Sequence, residues 1–317
     1  MKPDILQLNP ILVPIINDQL NARYTVHRLY EQADPDAYLR EHGAKMRGVI
    51  TGGHTGISKA MMEQLPALQI VAVNGVGTDA VDLAYARARG LPVAATLGAL
   101  TEDVADLAIG LLIATCRDIC TVDRFVRGGE WVRRPQPGAI RLARRFSGMR
   151  VGIVGMGRVG RAIAIRAAGF GCPVAYTDLR AMTDVPWTYI ADLKELARSS
   201  DALVLAAAAD KAEGIVDAAV LDALGPDGFL VNIARGRLVN EPDLVAALTS
   251  GRIAGAGLDV FADEPHVPPA LLALDNVVCQ AHRASATHET RKAMGEMVLA
   301  AIAQALAGER PAMSLTT

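Results

Sequence analysis

Three short stretches of the chain carry side chains that could do chemistry together. They are Asn232-Ile233-Ala234-Arg235-Gly236, Asp259-Val260-Phe261-Ala262-Asp263-Glu264-Pro265 and Gln280-Ala281-His282-Arg283-Ala284-Ser285. Arg235 offers a planar guanidinium, which grips a carboxylate through two parallel hydrogen bonds. His282 can give and take a proton near neutral pH. A glutamate beside it, Glu264, would favour the protonated ring and orient it. A grip on an acid, a proton for a carbonyl oxygen and a carboxylate behind the proton carrier are what hydride reduction of a 2-oxo acid requires. Each residue has a plainer reading alone. Arg235 could be a surface arginine at a helix end, Glu264 before Pro265 turn chemistry, and His282 a loop histidine. Their order, each just after an apolar strand-like run, argues for one site, because ligands of open α/β sheets bind beyond the carboxyl ends of strands.

Hydride chemistry needs a dinucleotide, and the chain has a turn suited to one. Gly155-Met156-Gly157-Arg158-Val159-Gly160 follows the apolar run Val151-Gly152-Ile153-Val154 and precedes a helical stretch from Arg161. A lone G-x-G-x-x-G is weak evidence in a chain with 29 glycines. The strand-to-helix setting strengthens it. Gly155 permits the tight turn, Gly157 lets the backbone approach a pyrophosphate, and Gly160 allows close helix–strand packing. The helix start supplies N–H groups and partial positive charge. Asp178 ends the next strand-like run, where a carboxylate accepts from ribose hydroxyls and repels a 2′-phosphate. NAD is therefore the expected cofactor, with NADP the second choice because Arg180 lies close by. No metal is expected.

These groups must be positioned by layers of strand and helix. Strands are expected at residues 11–16, 48–50, 70–73 and 92–94, with helical stretches such as 58–64 between them. A long helix is expected at about 102–117, capped by Thr101, with Val104, Leu107, Ala108, Leu111 and Leu112 at helical spacing. Residues 128–147 read as an irregular arm. From Arg150 the strand–helix alternation restarts, with strands at 151–154, 173–176, 202–205, 229–232, 255–258 and 277–280. A helix at about 287–307 closes the chain. The fold class is α/β: two doubly wound parallel-sheet domains, a Rossmann cofactor domain at 99–284 inserted in a flavodoxin-like substrate domain at 1–98 and 285–317.

Composition sets outer limits. At 317 residues a single core gives way to two domains. With 51% apolar and 21% charged residues the chain is globular, not disordered. A formal net charge of −2 gives no basic field for nucleic acid or anionic lipid, so neither partner is expected. No apolar run approaches the roughly 20 residues that span a bilayer, and no signal-peptide core is visible, so the expected location is cytoplasmic. The four cysteines lack zinc spacing or a disulfide pattern. Cys116 and Cys120, four apart, read as packing residues of one helix.

At these residues the chain resembles the D-2-hydroxyacid dehydrogenases, most closely their glyoxylate/hydroxypyruvate and hydroxyphenylpyruvate reductases. The resemblance covers essentially the whole chain and is sharpest at residues 101–108, 155–160, 231–236, 255–265 and 282–287. It implies that Arg235 binds substrate, that His282 is the acid/base and that Glu264 is its partner. It implies that Asp259 holds the nicotinamide amide, that Val104 packs on the ring, and that Ala207, Ile233 and Ala234 line the cofactor. It places the substrate against Asn74-Gly75-Val76-Gly77, with Val76 and Gly77 at the carboxylate. Gly53 and His54, in Thr51-Gly52-Gly53-His54, would face the substrate's tail. It further implies a homodimer joined through about 101–146, with Trp131 near the partner's site. There are departures. Ala281 stands where the family usually has proline, Ala284 where glycine is common, and Ala207-Ala208-Ala209-Asp210 where relatives often read Cys-Pro-Leu-Thr. Phosphoglycerate dehydrogenase or another D-2-hydroxyacid dehydrogenase remains an alternative. So does an NAD-sensing, corepressor-like binding protein of the same fold.

Overall fold

Parallel strands need cover on both faces, and the strands here are correspondingly apolar and short. The computed structural model describes residues 2–136, 138–208 and 212–316. The chain divides into two compact units. One comprises Met1–Leu100 with Ala286–Thr317, and the other Thr101–Ser285.

The first unit holds five strands: β1 (Asp4–Gln7), β2 (Thr25–Arg28), β3 (Met46–Thr51), β4 (Ile70–Val73) and β5 (Val93–Ala95). All pair in parallel, in the order β2-β1-β3-β4-β5. This is the flavodoxin-like order, with its reversal between β1 and β3. One face packs Leu6, Val49, Val71 and Val93 against Met62, Leu65 and Ala86. The other packs Ile5, Ile50, Ile70 and Ala72 against Ile16, Leu20, Val298 and Ile302. The last two belong to the closing helix, His288–Leu306, which Thr287 caps by accepting from the Thr290 N–H.

The expected strand at 11–16 is not there. The first strand is Asp4–Gln7, and Pro14–Arg23 is a helix. Proline at a first helical position costs no hydrogen bond and has its φ preset, so Pro14 starts a helix where the apolar run suggested a strand. The edge strand β2 went unpredicted because its residues, Thr-Val-His-Arg, are half polar.

The second unit holds seven strands: β6 (Val151–Val154), β7 (Val174–Thr177), β8 (Thr188–Tyr189), β9 (Ala202–Leu205), β10 (Phe229–Asn232), β11 (Gly255–Leu258) and β12 (Val277–Cys279). Their order is β12-β11-β10-β9-β6-β7-β8, all parallel, with the reversal between β6 and β9. That is a Rossmann sheet, with the two-residue β8 as its third strand and β12 added at the opposite edge. The strand order thus places the turn after β6 and the residues after β9 side by side. Leu203, Leu205, Leu230 and Leu258 pack with Leu221, Leu244 and Leu248 into one continuous core.

The long helix is Thr101–Cys116, so Thr101 lies inside its first turn, not before it. Gly257 lets it lie against the sheet: a Cβ there would meet the Leu111 Cβ at 3.0 Å. Cys116 and Cys120 do not share a helix. Asp118, at φ +53°, breaks the chain before the helix Ile119–Arg127. The arm is also not wholly irregular, since Glu130–Arg133 forms one helical turn.

Candidate active site

The turn after β6 is built for close approach. Gly155 sits at φ +96°, and a Cβ on it would lie 2.5 Å from the Ala207 Cα. No L side chain fits there, so the turn rests directly on the chain leaving β9. A Cβ on Gly160 would lie 2.0 Å from the Gly155 carbonyl oxygen, so glycine lets the helix Arg158–Gly169 seat on the turn. Gly157 differs: a Cβ there would meet nothing within 4 Å. That open side is where a ligand can reach the backbone. Gly157 is also the N-cap of the helix, and no side chain caps it. Other helices of this unit are capped by Asp192, Asp217 and Asn240, which accept from N–H groups of their first turns. The N–H groups of Arg158, Val159 and Gly160 thus start a helix whose end is left for an anion, and the residues fit a dinucleotide's phosphates.

Asp178 follows β7. Its Oδ2 accepts from the Met156 N–H at 2.7 Å and its Oδ1 from the Leu179 N–H at 2.7 Å. The carboxylate is thereby pinned to the edge of the glycine turn, with lone pairs left on both oxygens for hydroxyl donors. Val104, Ile233 and Ala234 are buried, and Ala207 is half-buried against the turn. Ala209 and Asp210 lie outside the described residues.

The three strand-end segments interlock. After β10, the Asn232 side chain folds its own turn: Nδ2 donates to the Arg235 carbonyl at 2.9 Å, and Oδ1 accepts from the Ala234 N–H at 3.0 Å. Arg235 Nη1 donates to the Ala234 carbonyl at 2.7 Å. A Cβ on Gly236 would lie 1.9 Å from the Phe261 carbonyl carbon, so only glycine lets the Arg235 turn pack on the segment after β11. In that segment Glu264 Oε1 accepts from the Phe261 N–H at 3.0 Å. Glu264 Oε2 lies 2.8 Å from His282 Nδ1, beyond β12. One oxygen of Glu264 therefore anchors its own loop while the other meets the imidazole.

His282 stands at φ +51°, a left-handed conformation unusual for a non-glycine residue. Asp259 holds it there. Its carbonyl accepts from the His282 N–H at 2.8 Å, and its carboxylate accepts from the Arg283 N–H at 2.7 Å and the Ala284 N–H at 3.0 Å. Asp259 is only 1% exposed. Burial pushes its carboxyl up from the usual carboxylate range, and the two backbone donors oppose that shift. Strained backbone of this kind persists where surrounding bonds over-determine it, and it clusters at functional sites. The structure therefore brings Arg235, Glu264, His282 and Asp259 into one network. Asn232 and Gly236 are the members sequence reasoning missed. Their signals were an Asn opening a turn at a strand end and a glycine directly after the arginine.

In the first unit, the loops after β3 and β4 touch. A Cβ on Gly53 would lie 2.7 Å from the Gly77 carbonyl oxygen. The Asn74 N–H donates to the Thr51 carbonyl at 2.7 Å, and the Gly52 N–H to Asn9 Oδ1 at 2.8 Å. His54 is exposed and Val76 is 37% exposed. Gly53, His54, Val76 and Gly77 are thus grouped at the carboxyl ends of two neighbouring strands.

A nucleotide turn and a proton-carrying pair at the carboxyl ends of one parallel sheet define a dinucleotide-dependent oxidoreductase. Comparison with known proteins narrows the class. Residues 109–284 match the model of the D-isomer specific 2-hydroxyacid dehydrogenase NAD-binding domain. The chain is 45% identical over 299 residues to 2-ketogluconate reductase of Gluconobacter oxydans, covering 94% of each chain. It is 42% identical over 285 residues to glyoxylate/hydroxypyruvate reductase A of Arabidopsis thaliana, covering 90% of each. Among solved structures it superposes with a TM-score of 0.91, at 38% identity, on an NADPH-dependent glyoxylate/hydroxypyruvate reductase from Sinorhizobium meliloti in complex with NADP and malonate. That match covers 99% of this chain and 97% of the other. The chain belongs to the D-isomer-specific 2-hydroxyacid dehydrogenase family. It is an NAD(P)-dependent oxidoreductase that interconverts a 2-oxo acid and a 2-hydroxy acid, and the binding-protein alternative falls away.

Proposed function

We propose that the protein reduces a small 2-oxo acid of the glyoxylate or hydroxypyruvate kind to the D-2-hydroxy acid, with His282 as the proton donor. The observation that carries this reading is the 2.8 Å contact between His282 Nδ1 and Glu264, held beside the Arg235 turn at the ends of adjacent strands. Relatives named for glyoxylate, hydroxypyruvate and 2-ketogluconate share the chemistry of a ketone next to a carboxylate.

Arg235 binds the substrate's carboxylate and ketone side, which fixes the carbonyl for attack. The backbone N–H groups at Val76 and Gly77 receive the carboxylate, while Gly53 and His54 face the rest of the substrate. Glu264 accepts from Nδ1, which sets the ring tautomer and stabilises the imidazolium. Nε2 is then the nitrogen that gives its proton to the ketone oxygen. When bound, a reduced nicotinamide would supply the hydride that the ketone carbon receives. Residues 155–160 would hold its phosphates, Asp178 its adenosine ribose and Asp259 its amide, with Val104 beside the ring. Ala207, Ile233 and Ala234 line it. Asp259 carries a second duty, because its carboxylate holds the His282 loop. In the reverse direction His282 takes the hydroxyl proton.

Asp178 favours NADH, since its carboxylate faces the position a 2′-phosphate would take. The proposed homodimer through about 101–146 is supported by the exposed apolar side chains of that stretch. Trp131 is 60%, Val132 86% and Leu142 99% exposed. No helix among the described residues is long and apolar enough to cross a membrane, and the proposed location is the cytoplasm.

The test is a panel of glyoxylate, hydroxypyruvate, pyruvate, phenylpyruvate and 2-ketogluconate with NADH or NADPH. The expected result is oxidation of NADH fastest with glyoxylate or hydroxypyruvate and a D-configured product. Oxidation with none of them at micromolar enzyme would overturn the reading. A strong NADPH preference would remove the role given to Asp178.

A further inference from the structure

Linked to Asp178 through Met156 is an ion pair that the reaction does not use. Arg161, in the first turns of the helix Arg158–Gly169, donates from Nη1 to Asp184 Oδ2 and from Nη2 to Oδ1, both at 2.8 Å. Its Nε donates to the Met156 carbonyl at 3.1 Å. The N–H of that same Met156 donates to Asp178. The guanidinium is therefore tied through one glycine-turn residue to the carboxylate proposed to hold the ribose. It also lies within electrostatic reach of Asp178 and Tyr176. Asp184 sits in the loop between β7 and β8 and is 67% exposed, so nothing in the core requires a carboxylate there. Arg161 itself is 32% exposed.

A planar guanidinium at the ribose edge is the group that would take a 2′-phosphate, through two charge-assisted bonds. Here both of its terminal nitrogens are already given to Asp184. We propose that Asp184 is a specificity-determining residue: by holding Arg161 in a two-bond pair it withholds that guanidinium from the 2′-phosphate of NADP, and so reinforces the preference set by Asp178. The proposal rests on the reading that residues 155–160 and Asp178 hold the adenosine end of the cofactor. It makes the choice between the two cofactors a property of two carboxylates joined through Met156 and Arg161, one holding the ribose and one restraining the arginine. It also predicts that the preference can be relaxed without touching the turn or Asp178.

Calorimetry with 5′-AMP and 2′,5′-ADP tests this directly, because the two probes differ only in the 2′-phosphate and neither requires turnover. In D184N, 2′,5′-ADP should bind about 10-fold tighter than in the unaltered protein, with 5′-AMP changed less than about twofold. About 0.5 M salt should remove most of that gain, as screening weakens exposed charge pairs. The double variant R161Q/D184N should lose it. R161Q alone should change 2′,5′-ADP affinity by less than about twofold, since the arginine is engaged elsewhere; a large loss would show that Arg161 already serves the phosphate, and would overturn the proposal. Equal effects of D184N on both probes, or none on 2′,5′-ADP, would also overturn it. Failure of the unaltered protein to bind 5′-AMP or NAD at all would overturn the nucleotide reading itself, a different result from any of these.

Discussion

Glu264 shows how much one side chain settles. Its Oε1 closes the Phe261 turn and its Oε2 meets His282 Nδ1, so it shapes a loop and orients a proton carrier together. In E264Q the amide keeps the size but loses the charge that stabilises an imidazolium. We expect kcat to fall about 10²-fold or more with cofactor affinity unchanged, read by steady-state kinetics beside NADH titration. Asp259 was legible in the sequence only as a cofactor contact. That both its oxygens also accept from the backbone around His282 is invisible in one dimension, because Arg283 and Ala284 come near only once β11 and β12 lie side by side. The Asp178 bond to Met156 was hidden in the same way. The motif placed the two at neighbouring strand ends, but not in contact.

At the scale of elements, the sites were readable wherever an apolar strand ran straight into a polar turn. The segments after β6, β10, β11 and β12 were found for that reason. Reading failed where local chemistry overrode the apolar pattern. Pro14 started a helix within the run 11–16, Asp118 at φ +53° split a helix that hydrophobic spacing left whole, and β8 was too short to register. Two glycines separate packing from binding by experiment. In G236A the new Cβ would fall 1.9 Å from the Phe261 carbonyl carbon. Stability should drop by about 3 kcal/mol in denaturant titration, and activity should fall as the Glu264 loop moves. In G157A the Cβ meets nothing. Stability should stay within about 1 kcal/mol of the unaltered protein, yet cofactor affinity should fall because the methyl group occupies the side the phosphates approach.

The whole molecule is two doubly wound sheets, and each one puts its polar loops at the carboxyl ends of its strands. Asp201, in the second unit, contributes to its response to acid. Arg150 donates to Asp201 from Nη2 at 2.9 Å and from Nε at 3.1 Å, and holds that carboxyl below its ordinary value. A lowered carboxyl stabilises the fold at pH values above its unfolded pKa, about 4, and the contribution is lost as pH falls through the lower folded value. D201N should therefore be less stable at pH 7, by no more than about 1 kcal/mol because Arg150 is 55% exposed and solvent screens the pair. The two proteins should converge at strongly acid pH in thermal unfolding. At this scale the central claim is that the second unit's loops form a reducing centre in which His282 moves the proton. The most direct measurement is H282A, assayed for NADH binding by fluorescence and for turnover with the best 2-oxo acid. NADH binding should stay within about twofold while kcat falls about 10²- to 10⁴-fold. Unchanged turnover in a variant that still binds NADH would contradict the account.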